Sequence, residues 1–168
     1  PSLFCRLALS CLADADHSDT ARLEYHAPAE PAWPSLRPGQ RLAALDAYVA
    51  GHGNSKGSDP LCRELYLACR EAMPGSGFAC CNVPVGAGQT TAAMAYLLRL
   101  AEEKHLRRIF VVLPHANRIA YAVQIYRQAL TLPGEDPSLV VAELYHRAEF
   151  EASPLRGLTA LWRAPIVV

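Results

Sequence analysis

The stretch CNVPVGAGQTT, residues 81–91, has the form of a phosphate-binding loop between a strand and a helix. The small residues at 86–88 allow backbone N–H groups to point toward an anion. A helix that begins at Gln89 would direct its positive N-terminal end at the same place, and Thr90 stands where such loops supply a hydroxyl to a magnesium ion. Because Gln89 replaces the usual lysine, the pattern predicts either a nucleotide site without its cation or an ordinary strand–helix turn.

The glutamine limits what such a loop can do. The strict pattern GxxxxGK[ST] also fails at its first position, Val83, whereas the helicase form A/T-x-T-G-x-G-K-T fits residues 83–90, VPVGAGQT, more closely. Gln89 can donate only neutral hydrogen bonds, and charge-assisted bonds are roughly twice as strong. It also cannot neutralise charge that develops on a transferred phosphoryl group. We therefore expect weak binding of ATP or ADP and strongly impaired hydrolysis.

Strands and helices alternate from residue 77 onward. Apolar runs predict strands at 77–85, 107–114, 138–144 and 164–168, and helices at 89–104, 117–130 and 154–162. Every residue from Ile109 to Leu113 is apolar, which is typical of a strand covered on both faces. This alternation predicts a parallel sheet with right-handed crossovers, in which ligands bind at the carboxyl ends of the strands.

The residues before this region follow a helical pattern. Helical periodicity covers 2–24, 39–51 and 61–73, and the four prolines of 25–38 predict a linker. In the helix at 61–73 the residues expected to face inward are Leu61, Leu65, Leu67 and Ala68, and those expected to face outward are Arg63, Glu64, Arg70 and Glu71.

Composition sets the broad class. The 168 residues are 51% hydrophobic, with 16 basic and 16 acidic residues, so a sizeable core is expected and total charge does not favour nucleic acid or a membrane surface. No apolar run approaches the roughly 18 residues of a membrane span. The six cysteines form no CxxC pair, which favours buried thiols over a zinc site or disulfide framework. Because the chain starts at Pro1 and ends in an apolar strand pattern, PIVV, we expect an internal piece of a longer protein.

Three further stretches narrow the interpretation. Residues 107–130, RRIFVVLPHANRIAYAVQIYRQAL, resemble helicase motif Ia with its following helix, and residues 161–168, LWRAPIVV, resemble the segment before motif Ib. Residues 12–21, LADADHSDTA, resemble the last metal-binding segment of an HD-type nuclease. In this order the features resemble the CRISPR-associated nuclease-helicase of type I systems, in which an HD nuclease is fused to a superfamily 2 helicase.

The resemblance implies an architecture for nearly the whole chain. It implies an α/β fold in which a RecA-like parallel sheet with a P-loop, present as a partial lobe, follows the helical end of an HD domain. Residues 1–24 would be the C-terminal end of the HD nuclease domain, and 25–57 a linker with a short helix. Residues 58–168 would be the first half of the N-terminal RecA-like lobe.

The resemblance also implies site residues. Asp16 takes the place of the final HD metal ligand, although alone it also fits a helix-end carboxylate. Arg63, with Asn54, lies in a segment that helps to hold adenine, and Asn117 and Arg118 begin a helix that contacts the DNA backbone; a solvated surface charge is the alternative for both arginines. The ATP-binding residues would be Pro84, Val85, Gly86, Ala87, Gly88, Gln89, Thr90 and Thr91. The family has paired histidines where this chain has Tyr145 and His146, and a structural role is expected for His146.

The implied parent protein would unwind and degrade invading DNA in antiviral defence, in the cytoplasm of a prokaryotic cell. It would use ATP with Mg²⁺ and a divalent transition metal at the HD site, and its partners would be single-stranded DNA and the CRISPR surveillance complex with its guide RNA. The DExH motif would follow Val168, so this chain alone is expected to be inactive. Two alternatives are a degenerate helicase lobe that binds nucleotide or DNA without catalysis, and an unrelated P-loop kinase or ATPase.

Overall fold

The chain folds as an α/β protein with a small parallel sheet and a larger helical part. The computed structural model describes residues 4–5, 8–9, 11–12, 15–16, 32–52, 60–73, 75, 77–84, 86–144 and 163–168. The first eight of these residues are helical and exposed. In chain order the elements with defined bounds are α1 Pro38–His52, α2 Pro60–Glu71, α3 Gln89–Glu103, β1 Ile109–Phe110, α4 Ala116–Leu130, α5 Pro137–Val140, β2 Val141–Ala142 and β3 Ile166–Val167.

The sheet has three short parallel strands in the order β1-β3-β2 among the described residues. Ile166 of β3 lies opposite Ile109 of β1 on one side and Val141 of β2 on the other. The N–H of Val111 also donates to the carbonyl of Val167 at 2.8 Å, which extends the pairing of β1 with β3. The central strand is therefore the last of the three described strands in sequence order.

Helix α3 forms the centre of the core. Its buried residues recur at helical spacing and present one apolar stripe to the neighbouring elements. They are Ala92, Met94, Ala95, Leu98 and Ala101. Helices α1 and α2 both pack against α3, and α1 also packs against α4. The prediction that α3 is largely buried is confirmed along this stripe.

The predicted strand at 77–85 is wrong for the residues that the structure describes. Residues 77–84 have no strand pairing, and Phe78 is fully exposed. The apolar pattern of this segment was sufficient for a strand, but none of the three described strands pairs with it. Only Val83 of this segment is half-buried and packs against the core.

The strand β1 is shorter and more open than its sequence predicts. An uninterrupted apolar run indicated cover on both faces, yet Val112 is 93% exposed and Phe110 is 49% exposed. Strand β1 lies at the edge of the described sheet, so its outer side has no neighbouring strand there.

The segment predicted as a strand at 138–144 begins instead as the short helix α5. Asp136 caps this helix, since its carboxylate accepts a hydrogen bond from the N–H of Ser138 at 2.8 Å. Pro137 then occupies the first helical turn, where a missing N–H has no cost. The strand is reduced to Val141–Ala142. The predicted helix at 154–162 lies outside the described residues.

The inward face of α2 also differs from the prediction. Leu65 and Tyr66 are buried, whereas Leu67 and Ala68 are exposed. The packed face follows the positions 62, 65, 66 and 69, which are three, four and seven residues apart and therefore lie on one side of a helix. The sequence interpretation counted apolar residues but overlooked the two cysteines and the tyrosine on this face.

The prediction of buried thiols is wrong for four cysteines and holds only in part for the other two. Cys5, Cys11, Cys80 and Cys81 are exposed, and Cys62 and Cys69 are half-buried. All six are free thiols.

No helix in the described part of the chain has the length and apolar character that crossing a membrane requires.

Candidate phosphate-binding loop

Both glycines of the loop before α3 adopt backbone angles that favour glycine. Gly86 has φ of 93° and Gly88 has φ of 78°, a left-handed conformation that side chains with a Cβ rarely adopt. Between them the side chain of Ala87 is buried, and its N–H donates to the carbonyl of Pro84 at 3.3 Å. The loop is thus a defined turn anchored by one buried methyl group.

The N-terminal end of α3 carries no neutralising group from its own sequence. Gly88 is the N-cap residue and has no side chain to accept a hydrogen bond from the first turn. The first turn contains no acidic residue. The partial positive charge of the helix end is therefore available to an anion in the loop.

The two threonines of the loop differ in their hydrogen bonds. The hydroxyl of Thr91 donates to the carbonyl of Gly88 at 3.1 Å, which holds the loop against the helix. Thr90 is half-buried, and the structure gives its hydroxyl no hydrogen bond to any described residue. Of the two loop hydroxyls, that of Thr90 is therefore the one that the described residues do not engage.

Gln89 folds back onto the segment that leads into the loop. Its side-chain nitrogen donates to the carbonyl of Val83 at 3.2 Å, and the side chain is otherwise exposed. The amide carries a second N–H that can still donate to a ligand, but it carries no charge. The Gln89 side chain is thus a neutral hydrogen-bond donor that also joins the start of α3 to Val83, before the loop.

Helix α2 supports the loop from one side. The thiol of Cys62 lies 3.8 Å from the carbonyl oxygen of Gly86. A Cβ placed on Gly88 would lie 3.7 Å from the Cβ of Cys62, an ordinary contact, so the constraint at Gly88 is its backbone angle. Arg63, the predicted adenine-side residue, follows Cys62 directly and is exposed.

Tyr126 of α4 contacts the first turn of α3. Its hydroxyl donates to the carbonyl of Thr90 at 3.2 Å. The ring is buried, and burial raises the pKa of the phenol above its ordinary value, so the hydroxyl remains a donor. Tyr126 was not among the predicted site residues, although its place on the apolar stripe of α4 was a usable signal.

The predicted DNA-contacting residues lie away from the loop. Asn117 and Arg118 are exposed in the first turn of α4. Arg118 precedes Tyr126 by eight residues, which is about 12 Å along the helix axis. No hydrogen bond or ion pair in the described part of the chain joins either side chain to the loop.

The remaining predicted residues are outside any described site. Asp16 is an exposed helical residue. Val85, Asn54, Tyr145 and His146 lie outside the described residues. Among the described residues, no group of three or more His, Cys, Asp or Glu side chains is arranged to hold a metal ion.

Comparison with known proteins gives no match to a family model, to a curated protein or to a solved structure.

Proposed function

We propose that residues 83–91 bind the phosphates of ATP, and that the chain is part of a CRISPR type I nuclease-helicase. The observation that carries the proposal is the pair of left-handed glycines directly before an uncapped helix without an acidic first turn. A positive helix end and the unpaired N–H groups that the first turn of a helix leaves would favour a bound phosphate.

Thr90 would supply the hydroxyl for the magnesium ion that accompanies ATP. Its position directly after Gln89 matches the phosphate-loop pattern, and its hydroxyl is not used by the described residues. Thr91 and Tyr126 hold the backbone of this turn in place. Mg²⁺ would supply the charge that bridges the outer phosphates.

The helicase part of the proposal rests on the order of sequence segments. The loop is followed by the segment that resembles motif Ia and then by the one that resembles the approach to motif Ib. Asn117 and Arg118 would contact the backbone of single-stranded DNA from the start of α4, where the positive end of the helix would also favour a phosphate. Arg63 would lie on the adenine side of the nucleotide.

The nuclease part rests on Asp16 in the segment that resembles an HD domain. A single carboxylate does not hold a transition metal, because such sites require several His and Asp ligands. Asp16 would thus contribute one ligand of a larger set, in a protein recruited to DNA by a guide-RNA surveillance complex.

Nucleotide binding to the 168-residue chain tests the first step. We expect Gln89→Lys to tighten the binding of a fluorescent ATP analogue about tenfold, since it adds a charge-assisted bond worth about 1.4 kcal/mol. Gly88→Val should abolish binding, because valine rarely adopts the φ of 78° that Gly88 has. Titration followed by fluorescence anisotropy measures both effects.

Gln40→Lys is the matched control, because it adds the same charge at an exposed position of α1, next to the C-terminal end of α3 and so far from the loop. Residue 39 of α1 lies beside Glu102, in the last turn of α3. If Gln40→Lys tightens nucleotide binding as much as Gln89→Lys does, the effect is nonspecific attraction. If neither Gln89→Lys nor Gly88→Val changes nucleotide binding, the proposed phosphate site is contradicted.

A second candidate is a lobe that binds nucleotide without hydrolysing it. It is favoured by the bond of Gln89 to the Val83 carbonyl, which occupies the neutral side chain within the loop. The full-length protein distinguishes the two. DNA-stimulated ATP turnover by the natural sequence supports a motor. Nucleotide binding without ATP turnover supports the non-hydrolysing lobe, if the Gln89→Lys variant gains turnover.

A further inference from the structure

The three-stranded sheet buries side chains on both of its faces. Successive residues of a strand point to opposite faces, and the paired residues Ile109, Ile166 and Val141 lie in the large core with the helices. We call this side the first face. The second face carries Ala142 and Val167, which lie opposite each other in register and are 2% and 4% exposed. The second face is therefore also removed from solvent at β2 and β3.

The described helices do not account for this burial. Every helix with defined bounds, α1 to α5, contributes buried side chains to the core on the first face and none to the cluster on the second. Among the described residues, Trp33 is the half-buried hydrophobic side chain that packs against the second cluster. A layer of helices or strands normally covers each buried face of a sheet, and no described element supplies that layer here.

The strand order indicates which part of the chain supplies it. The connection from β1 to β2 passes β3 and carries α4, which packs on the first face. The connection from β2 to β3 runs across the sheet in the opposite direction. Crossovers between parallel strands are right-handed in about 98% of cases, so two connections that run in opposite directions have to lie on opposite faces. This rule directs the connection from β2 to β3 to the second face.

We propose that residues 145–162 cross the second face of the sheet and cover Ala142 and Val167. The helix that the sequence predicts at 154–162 would be the covering element. The connection has to return along residues 164–168, which span about 13 Å as extended chain, and a helix over 154–162 has about the same length. This inference does not depend on the proposed nucleotide function.

The sequence of the connection has the features that such a cover requires. Ser153 and Pro154 are favoured residues for the N-cap and the first position of a helix. Leu155, Leu158 and Trp162 follow at spacings of three and four residues, which places them on one side of that helix. The helix would therefore present one apolar stripe to the small side chains of the second face.

Photo-cross-linking of the 168-residue chain tests this placement. A diazirine analogue of leucine is placed at position 158, the protein is irradiated, and the linked peptides are mapped by mass spectrometry. We expect links within one chain to residues 142–144, at the end of β2, or to Trp33, which packs on the second face. Links to α1 or α2 would overturn the proposal. So would links between two copies, which a mixture of ¹⁵N-labelled and unlabelled chains identifies, because a second chain would then cover the face.

Two glutamine substitutions provide a second measurement. Leu158→Gln would bury an amide and should lower the melting temperature by about 8 °C. Ala160→Gln is the matched control, because position 160 lies on the opposite side of the helix, and it should change the melting temperature by less than about 2 °C. Equal melting temperatures of the two variants would overturn the proposal. This comparison decides the question even if the photoreactive residue prevents folding.

Discussion

A fully buried guanidinium joins the start of α1 to the end of α4. Arg41 donates to the carbonyl of Leu36 at 2.7 Å and to that of Leu130 at 2.6 Å. It also forms an ion pair with Glu135 at 2.8 Å, and exposed Arg37 binds the same carboxylate. Every buried donor of this cluster has an acceptor, which is the condition under which a buried charge is tolerated.

Removing the charge of Glu135 should be costly. We expect Glu135→Gln to lower the free energy of unfolding by about 3 kcal/mol, because it leaves the Arg41 charge buried without its counter-ion. Urea denaturation measures the change. The matched control is Glu103→Gln, whose partner Lys104 is about half exposed, so that the loss should be below about 1 kcal/mol. Equal effects of the two variants would contradict the role given to the buried pair.

Because Glu135 is charged in the folded protein, we expect the stability of the protein to depend on pH. Burial acts to raise the pKa of Glu135, but hydrogen bonds from Arg41 and the Leu132 N–H, with the arginine charges, hold it below its ordinary value of 4.5. A pKa lower in the folded than in the unfolded state stabilises the fold above pH 4.5, and this contribution is lost as the pH falls through the folded pKa. Urea titrations from pH 7 to pH 3 should show a smaller decline in Glu135→Gln.

At the scale of elements, Tyr126 links α4 to the first turn of α3. We expect Tyr126→Phe to lower the free energy of unfolding by about 1 kcal/mol, because it removes one hydrogen bond to the Thr90 carbonyl. Tyr121→Phe on the same helix is the control, since that side chain is 61% exposed and the change should be near zero. Thermal denaturation of the two variants makes the comparison, and a larger loss from Tyr121→Phe would contradict the assignment.

The helices were the part of the fold that the sequence predicted well. Predicted helices at 39–51, 61–73, 89–104 and 117–130 agree with α1 to α4 within two residues at each end. Their signals are local, since apolar periodicity and a helix-starting proline act within a few turns. The strands were predicted less well because pairing depends on partners far along the chain. The aspartate that caps α5 was a local signal that the analysis overlooked.

The same difference between local and long-range signals applies to the candidate site. The glycine turn and the missing lysine could be identified from residues 83–90, because backbone conformation there follows from the glycines themselves. The contacts of Cys62 and Tyr126 could not, because they join elements distant in sequence. Periodicity placed Tyr126 on an inward face but gave no information on its acceptor.

At the scale of the whole molecule, apolar side chains surround the open side of β1. Val112 is 93% exposed, Phe110 is 49% exposed, and β1 is an edge strand among the described residues. Unprotected edges of this kind favour pairing between chains. We expect Val112→Lys to slow concentration-dependent aggregation, measured by light scattering, with little change in the melting temperature. Gln124→Lys adds the same charge on α4, and an equal slowing there would indicate a general effect of charge.

The order β1-β3-β2 also bears on how the protein is made. The two outer strands leave the ribosome first, and in the described part of the chain each of them pairs with β3. Nothing in the described sheet can therefore close until about 55 residues after β1 have been synthesised, which at roughly 5–20 residues per second takes several seconds. During that interval the nascent chain can assemble its helices but not its sheet, and the exposed edge of β1 is available to chaperones that bind extended apolar segments.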